Sequence, residues 1–181
     1  MQWKNNSTRF GIVTIVLHWL VPIPVFALFA LGWWMTELDY YDSWYKLGPW
    51  WHKSIGILLF LIVITRLLWR FISPPSQPLA NHKPWEVKVA HAVHLLLYLL
   101  LLVTMFSGYL ISTADNRPIE VFGWFSVPAT ITSIADQEDV AGEVHFIVAS
   151  ILIAMVVLHA AAALKHHFID RDNSLKRILG R

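Results

Sequence analysis

Four apolar runs, residues 12–35, 50–72, 90–111 and 144–164, each come close to the roughly 20 residues that a helix needs to cross a bilayer. Such runs leave a chain little freedom. In hydrocarbon every backbone N–H and C=O must find its partner inside the segment, and an α-helix is the way a single run achieves this. Charged residues make up 14% of the chain and the mean hydropathy is +0.53, against roughly 25% charged in soluble domains. The expectation is an all-α integral membrane protein, a four-helix bundle with membrane lipid as its solvent and no nucleic-acid partner. At 181 residues the spans fill one domain, 1–181.

The first run follows Lys4 and Arg9 but is too long for the apolar core of a signal peptide and lacks a small-residue cleavage site, so it is read as a retained span. Cysteine is absent, which excludes disulfides, thiolate-held iron–sulfur clusters and covalent haem attachment through C-x-x-C-H. A redox cofactor must then rest on histidine or methionine.

Charge sets the expected topology. With both termini in the cytoplasm, eleven cations lie inside: Lys4, Arg9, Arg66, Arg70, Lys83, Lys88, Lys165, Arg171, Lys176, Arg177 and Arg181. Three, Lys46, Lys53 and Arg117, lie outside, a strong positive-inside bias. Nine of the twelve acids fall outside, so the outer face is acidic and the inner face basic. Trp33, Trp34, Trp50 and Trp51 mark the outer boundary, with Trp19, Trp69 and Trp85 toward the inner one, where amphipathic rings anchor. Ser73-Pro-Pro-Ser-Gln-Pro78 ends the second span, and Pro84 can open the first turn of the third.

Ionisable side chains inside a span are costly and normally face the bundle interior, where they mark a pathway or a bound ion. His145 and His159 stand fourteen residues apart on the last run. At about 1.5 Å and about 100° per residue, they share one helix face about 21 Å apart along the axis. His18 on the first span matches the depth of His159, and His52 at the start of the second matches His145. Two bis-imidazole sites result, His18 with His159 toward the cytoplasm and His52 with His145 toward the outside. Imidazole is the usual protein ligand of b-type haem iron.

Other histidines compete. His91 and His94 belong to the inner half and could replace His18; His91 also suits a propionate or headgroup contact, and His94 a quinone pocket. His82 is read as a solvated loop residue. His166 and His167 flank the inner edge as snorkelling residues or as proton donors to a quinone. Arg66 and Arg70, one turn apart, suit haem propionates or lipid phosphates, and Lys53 lies beside His52 where a propionate could reach it. Gly56 and residues 160–163, all alanine, are small enough for a macrocycle to approach or for plain helix packing.

The segments 16–20 (VLHWL), 52–56 (HKSIG), 66–70 (RLLWR), 91–94 (HAVH), 107–109 (SGY) and 158–167 (LHAAAALKHH) together resemble the bacterial cytochrome b561 family. That family is related to the cytochrome b subunits of membrane hydrogenases and formate dehydrogenases. The resemblance covers nearly the whole chain. It implies a four-helix protein of the bacterial inner membrane with two haem b and His18, His52, His145 and His159 as axial ligands. It further implies electron exchange between a periplasmic donor or acceptor and ubiquinone or another quinone. The family also includes a superoxide oxidase branch that reduces ubiquinone.

Three functions follow from the residues and this resemblance. The first is a di-haem oxidoreductase linking a periplasmic redox or lipid-binding protein to the quinone pool, with superoxide as an alternative donor. The second is a membrane anchor that passes electrons for a separate dehydrogenase docked on the loop 115–143. The third is a histidine-based proton or metal transporter. A superoxide anion should be steered by positive potential, and the acidic outer loops disfavour it unless Lys46, Lys53 and Arg117 make a local basic funnel.

Overall fold

The computed structural model describes residues 2–79 and 82–181. The chain is mostly helical: α1 (Ile12–Trp19), α2 (Pro22–Met35), α3 (Trp44–Ile72), α4 (Pro84–Thr113), the strands β1 (Ile119–Val121) and β2 (Phe125–Val127), α5 (Gln137–Phe168) and the short α6 (Ser174–Ile178). Among the described residues four candidate spans are present: α1 with α2, then α3, α4 and α5. Leu68, Leu95, Leu99, Phe106 and Leu158 on these helices are all more than half exposed, as side chains that face lipid should be.

The helices depart from the apolar runs at identifiable points. The first run is two helices, not one, because Pro22 has no N–H to continue the ladder; Val21 N–H instead closes a tight turn on His18 C=O, and Pro22 then opens α2. α3 starts at Trp44 and α5 at Gln137, ahead of the hydrophobic onset. Glu138 and Asp139 in the first turn of α5 and Lys165, His166 and His167 in its last turn complement the helix dipole outside the hydrocarbon. Pro84 opens α4 as expected, and Glu86 reaches back to accept from Lys83 N–H at 2.8 Å, half of a capping box.

Side-chain packing divides into two compact units. One comprises Ile23–Phe60 and Leu99–Ile153. Its core includes Val25, Leu28, Leu59, Leu101, Ile119, Val121 and Leu152. The hairpin β1–β2 belongs here and was not expected from the sequence. It turns at Phe122 and Gly123, with φ of 51° and 73°; the second of these left-handed positions suits glycine at no steric cost. Buried Ser54 on α3 ties the hairpin down, accepting from Phe122 N–H at 3.2 Å and donating to Glu120 C=O at 3.3 Å.

The other unit comprises Met1–Pro22, Leu61–Tyr98 and Ala154–Arg181. Asn5 Oδ1 accepts from Gly11 N–H at 2.9 Å and Thr14 Oγ1 at 2.7 Å. A Cβ on Gly11 would collide with the Trp3 and Lys4 carbonyls, so this approach requires glycine. Trp69 Nε1 donates to Thr14 Oγ1 at 3.0 Å. Arg177 straps the segments together, its guanidinium donating to Thr8 C=O at 2.6 Å and Gln77 C=O at 2.9 Å.

Candidate functional site

In the unit built of Ile23–Phe60 and Leu99–Ile153, α3 supplies His52 and α5 supplies His145. Their ring centroids are 6.1 Å apart at 66°. Two imidazoles on opposite sides of one metal ion stand about 6 Å apart, given metal–nitrogen bonds of about 2 Å. His145 Nδ1 lies 2.8 Å from Thr104 C=O and 3.2 Å from Ser107 Oγ. A carbonyl only accepts, so Nδ1 carries the ring's proton and Nε2 keeps a free lone pair. That arrangement is how metal-ligating histidines are usually oriented. His52 Nδ1 is buried with no hydrogen-bond partner.

Glycines stand against both rings. A Cβ on Gly32 would lie 3.1 Å from His52 Cε1, and one on Gly108 3.0 Å from His145 Cε1, so each ring packs directly on helix backbone. Gly56 has nothing within 4 Å of a Cβ position, leaving open space one turn from His52. Together the spacing, the Nδ1–H tautomer and this space fit a haem iron. Lys53 is exposed.

In the unit that carries both termini, His159 on α5 faces His94 on α4, with centroids 5.3 Å apart. His18 on α1 is engaged elsewhere: Arg66 Nη2 lies 3.0 Å from its Nδ1. Guanidinium only donates, so Nδ1 accepts and the His18 proton sits on Nε2, the reverse of His145. Arg66 and Arg70 both stand 5.6 Å from the centroid of the Tyr98 ring, a two-cation clamp on one aromatic. His91 Nδ1 donates to Val87 C=O at 2.7 Å on its own helix.

His82 differs from its sequence reading. It is not solvated: its side chain is 18% exposed and Nε2 lies 2.8 Å from Asp172 Oδ2. Asp172 titrates below the ordinary carboxylate range; burial alone would push it up, but hydrogen bonds from His82 and the Ser174 N–H outweigh that. Asp170 is also held low, chiefly by the Lys165 ammonium, 2.7 Å away. His166 Nδ1 approaches Asp170 Oδ2 at 2.8 Å, and His167 packs edge-on against Phe168 at 4.8 Å.

Sequence reasoning missed Thr104, which orients His145, and Gly32, which backs His52. The Ser107-Gly108 pair was visible in the sequence, and Thr104 precedes Gly108 by one helical turn, the spacing of a shared face. Nothing local pointed to Gly32.

Residues 9–181 match the family model described as prokaryotic cytochrome b561, and the chain belongs to that family. Over its full length it is 51% identical to cytochrome b561 homolog 2 of Escherichia coli K12, covering 96% of that protein. It is 29% identical to the probable superoxide oxidase CybB of Yersinia pestis, over 94% of this chain and 96% of that one. Cytochrome b561 homolog 1 of Escherichia coli K12 is 28% identical, with 96% and 98% covered. The protein is therefore a multi-pass membrane cytochrome of an electron-transport family, and membership implies haem b.

The packing of Gly108 on His145 makes a test. Gly108→Val should cost about 1–3 kcal/mol of overpacking and loosen the His145–Thr104 bond. Gly142→Val, where nothing lies within 4 Å, serves as control. Thermal unfolding of the two purified variants compares them directly, and the Gly108 variant should melt lower.

Proposed function

We propose that the chain is a di-haem b electron-transfer protein of the inner membrane that exchanges electrons between a periplasmic redox partner and quinone. The observation that carries this reading is the His52–His145 pair, 6.1 Å apart with the His145 Nδ1 proton already committed to a backbone carbonyl. His52 and His145 would hold the outer iron, and His18 with His159 the inner one. The bound haems supply one-electron ferric–ferrous chemistry. The remaining work falls to the chain's own residues.

Thr104 and Ser107 hold the His145 ring in one orientation, and Gly32 and Gly108 let both outer rings seat against backbone. For His18 to ligate through Nε2, its proton must move to Nδ1, which requires Arg66 to release it. The freed guanidinium, with Arg70, is then available to a propionate carboxylate. Lys53 would reach an outer propionate and His91 an inner one or a lipid headgroup. Quinone reduction consumes two electrons and two protons, so a proton relay is required at the inner edge. His94, His166 and His167 are the imidazoles on that side that could pass protons between water and a bound quinone.

A second ligand pair is favoured by one distance. His94 stands 5.3 Å from His159, close enough to replace His18. Single alanine substitutions separate the readings through the absorbance spectrum. His52→Ala should remove the outer haem only, and His159→Ala the inner haem only. His18→Ala should match His159→Ala, with His94→Ala keeping both haems. The reverse outcome for the last two would move the ligand role to His94.

The donor is the finer question, since a 29% identical relative is named a probable superoxide oxidase. An acidic outer face argues for a protein partner with a basic patch. Arg117 is 82% exposed but lies 3.3 Å from Asp115, which offsets its charge. Lys53 has no ion pair among the described residues. Screening at about 0.15 M salt confines attraction to about 8 Å. Reduction by a basic protein partner should therefore slow as ionic strength rises, whereas a superoxide reaction opposed by the acidic loops should quicken or stay flat. Stopped-flow reduction at low and high salt measures this; a superoxide rate near the diffusion limit that falls with salt would reveal a local positive funnel instead.

A further inference from the structure

Outside the proposed haem-ligand histidines, one cluster of donor atoms among the described residues has no role assigned to it as a group. His82 before α4, His166 in the last turn of α5 and Asp172 between α5 and α6 place their ligand atoms within 4.8 Å of one another. Asp172 Oδ2 is the hub, 2.8 Å from His82 Nε2 and 3.6 Å from His166 Nδ1. Its side chain is 2% exposed, with His82 at 18% and His166 at 23%. The two imidazole rings lie 5.0 Å apart at 35°.

A hydrogen-bonded structural pair would account for His82 and Asp172 but not for His166. Its Nδ1 is buried and makes no directed hydrogen bond, although Asp170 Oδ2 is only 2.8 Å away. The carboxylate, by contrast, is positioned independently of either ring. Asp172 Oδ1 accepts from Ser174 N–H at 2.8 Å, and Asp172 N–H donates to His166 C=O at 3.0 Å. Donor atoms around one ion with bonds of about 2.0–2.2 Å stand about 3–3.5 Å apart. The 2.8 and 3.6 Å separations bracket that range, so small side-chain rotations suffice.

We propose that His82, His166 and Asp172 form a binding site for a divalent transition ion of the zinc class. Two imidazole nitrogens and one carboxylate oxygen, without thiolate, suit zinc and its late first-row neighbours rather than magnesium or calcium. Three protein ligands leave a fourth position for water or for Asp170. An ion there latches the segment before α4 to the chain beyond α5 and withdraws His166 from proton transfer. The site shares no residue with the four proposed iron ligands.

The test uses the haem-loaded protein purified without a polyhistidine tag, stripped with chelator and dialysed to equilibrium against radioactive zinc. One saturable zinc per chain is expected, unaffected by excess magnesium. His82→Ala, His166→Ala and Asp172→Asn should each weaken it at least tenfold, with unchanged haem spectra showing that the fold is kept. The proposal fails if zinc does not saturate, if magnesium displaces it, or if the variants bind like the parent. Should a variant not fold, the parent alone decides: zinc should shield His82 and His166, but not His91, from diethyl pyrocarbonate. Equal labelling with and without zinc would overturn the site.

Discussion

A neutral imidazole has two nitrogens and one proton, and in a membrane helix the neighbour that takes the proton decides what the other nitrogen can do. Thr104 C=O settles this for His145, at 2.8 Å from Nδ1, and leaves Nε2 free to coordinate. Arg66 settles it the other way for His18. The hydrocarbon gives neither ring water as a substitute partner, so these contacts set the chemistry of each site. Gly32 and Gly108 follow from the same constraint, because a ring pressed against backbone cannot tilt away from its partner.

The spans were legible because their apolar length is imposed by the bilayer. Their ends were not, since the polar turns of α3 and α5 lie beyond the hydrocarbon and obey capping and dipole rules instead. The division of the first run was written in Pro22, but a hydropathy pattern averages over a two-residue break. The hairpin escaped notice because three-residue strands carry almost no periodic signal, and what fixes this one is a contact from Ser54, more than sixty residues earlier.

Among the histidines, matched depth paired His52 with His145, which the fold brings together, but left His159 between His18 and His94. Depth is a one-dimensional measure. Rotation about each helix decides whether His159 meets His18 or His94, and the apolar faces of these helices are too uniform to fix it. His82 was read as solvated for a related reason: its partner Asp172 is 90 residues away. The acidity of the loops that hold residues 37–42 and 115–143, by contrast, was plain in the sequence, as net charge needs no folding to be counted.

The claim on which the rest depends is that four histidines hold two haem irons in one chain. A pyridine haemochrome assay on purified protein, set against quantitative amino-acid analysis, measures it most directly. Two haem b per polypeptide are expected. One haem per polypeptide would contradict the claim, because a single iron cannot use both the His52–His145 pair and His159 with its partner.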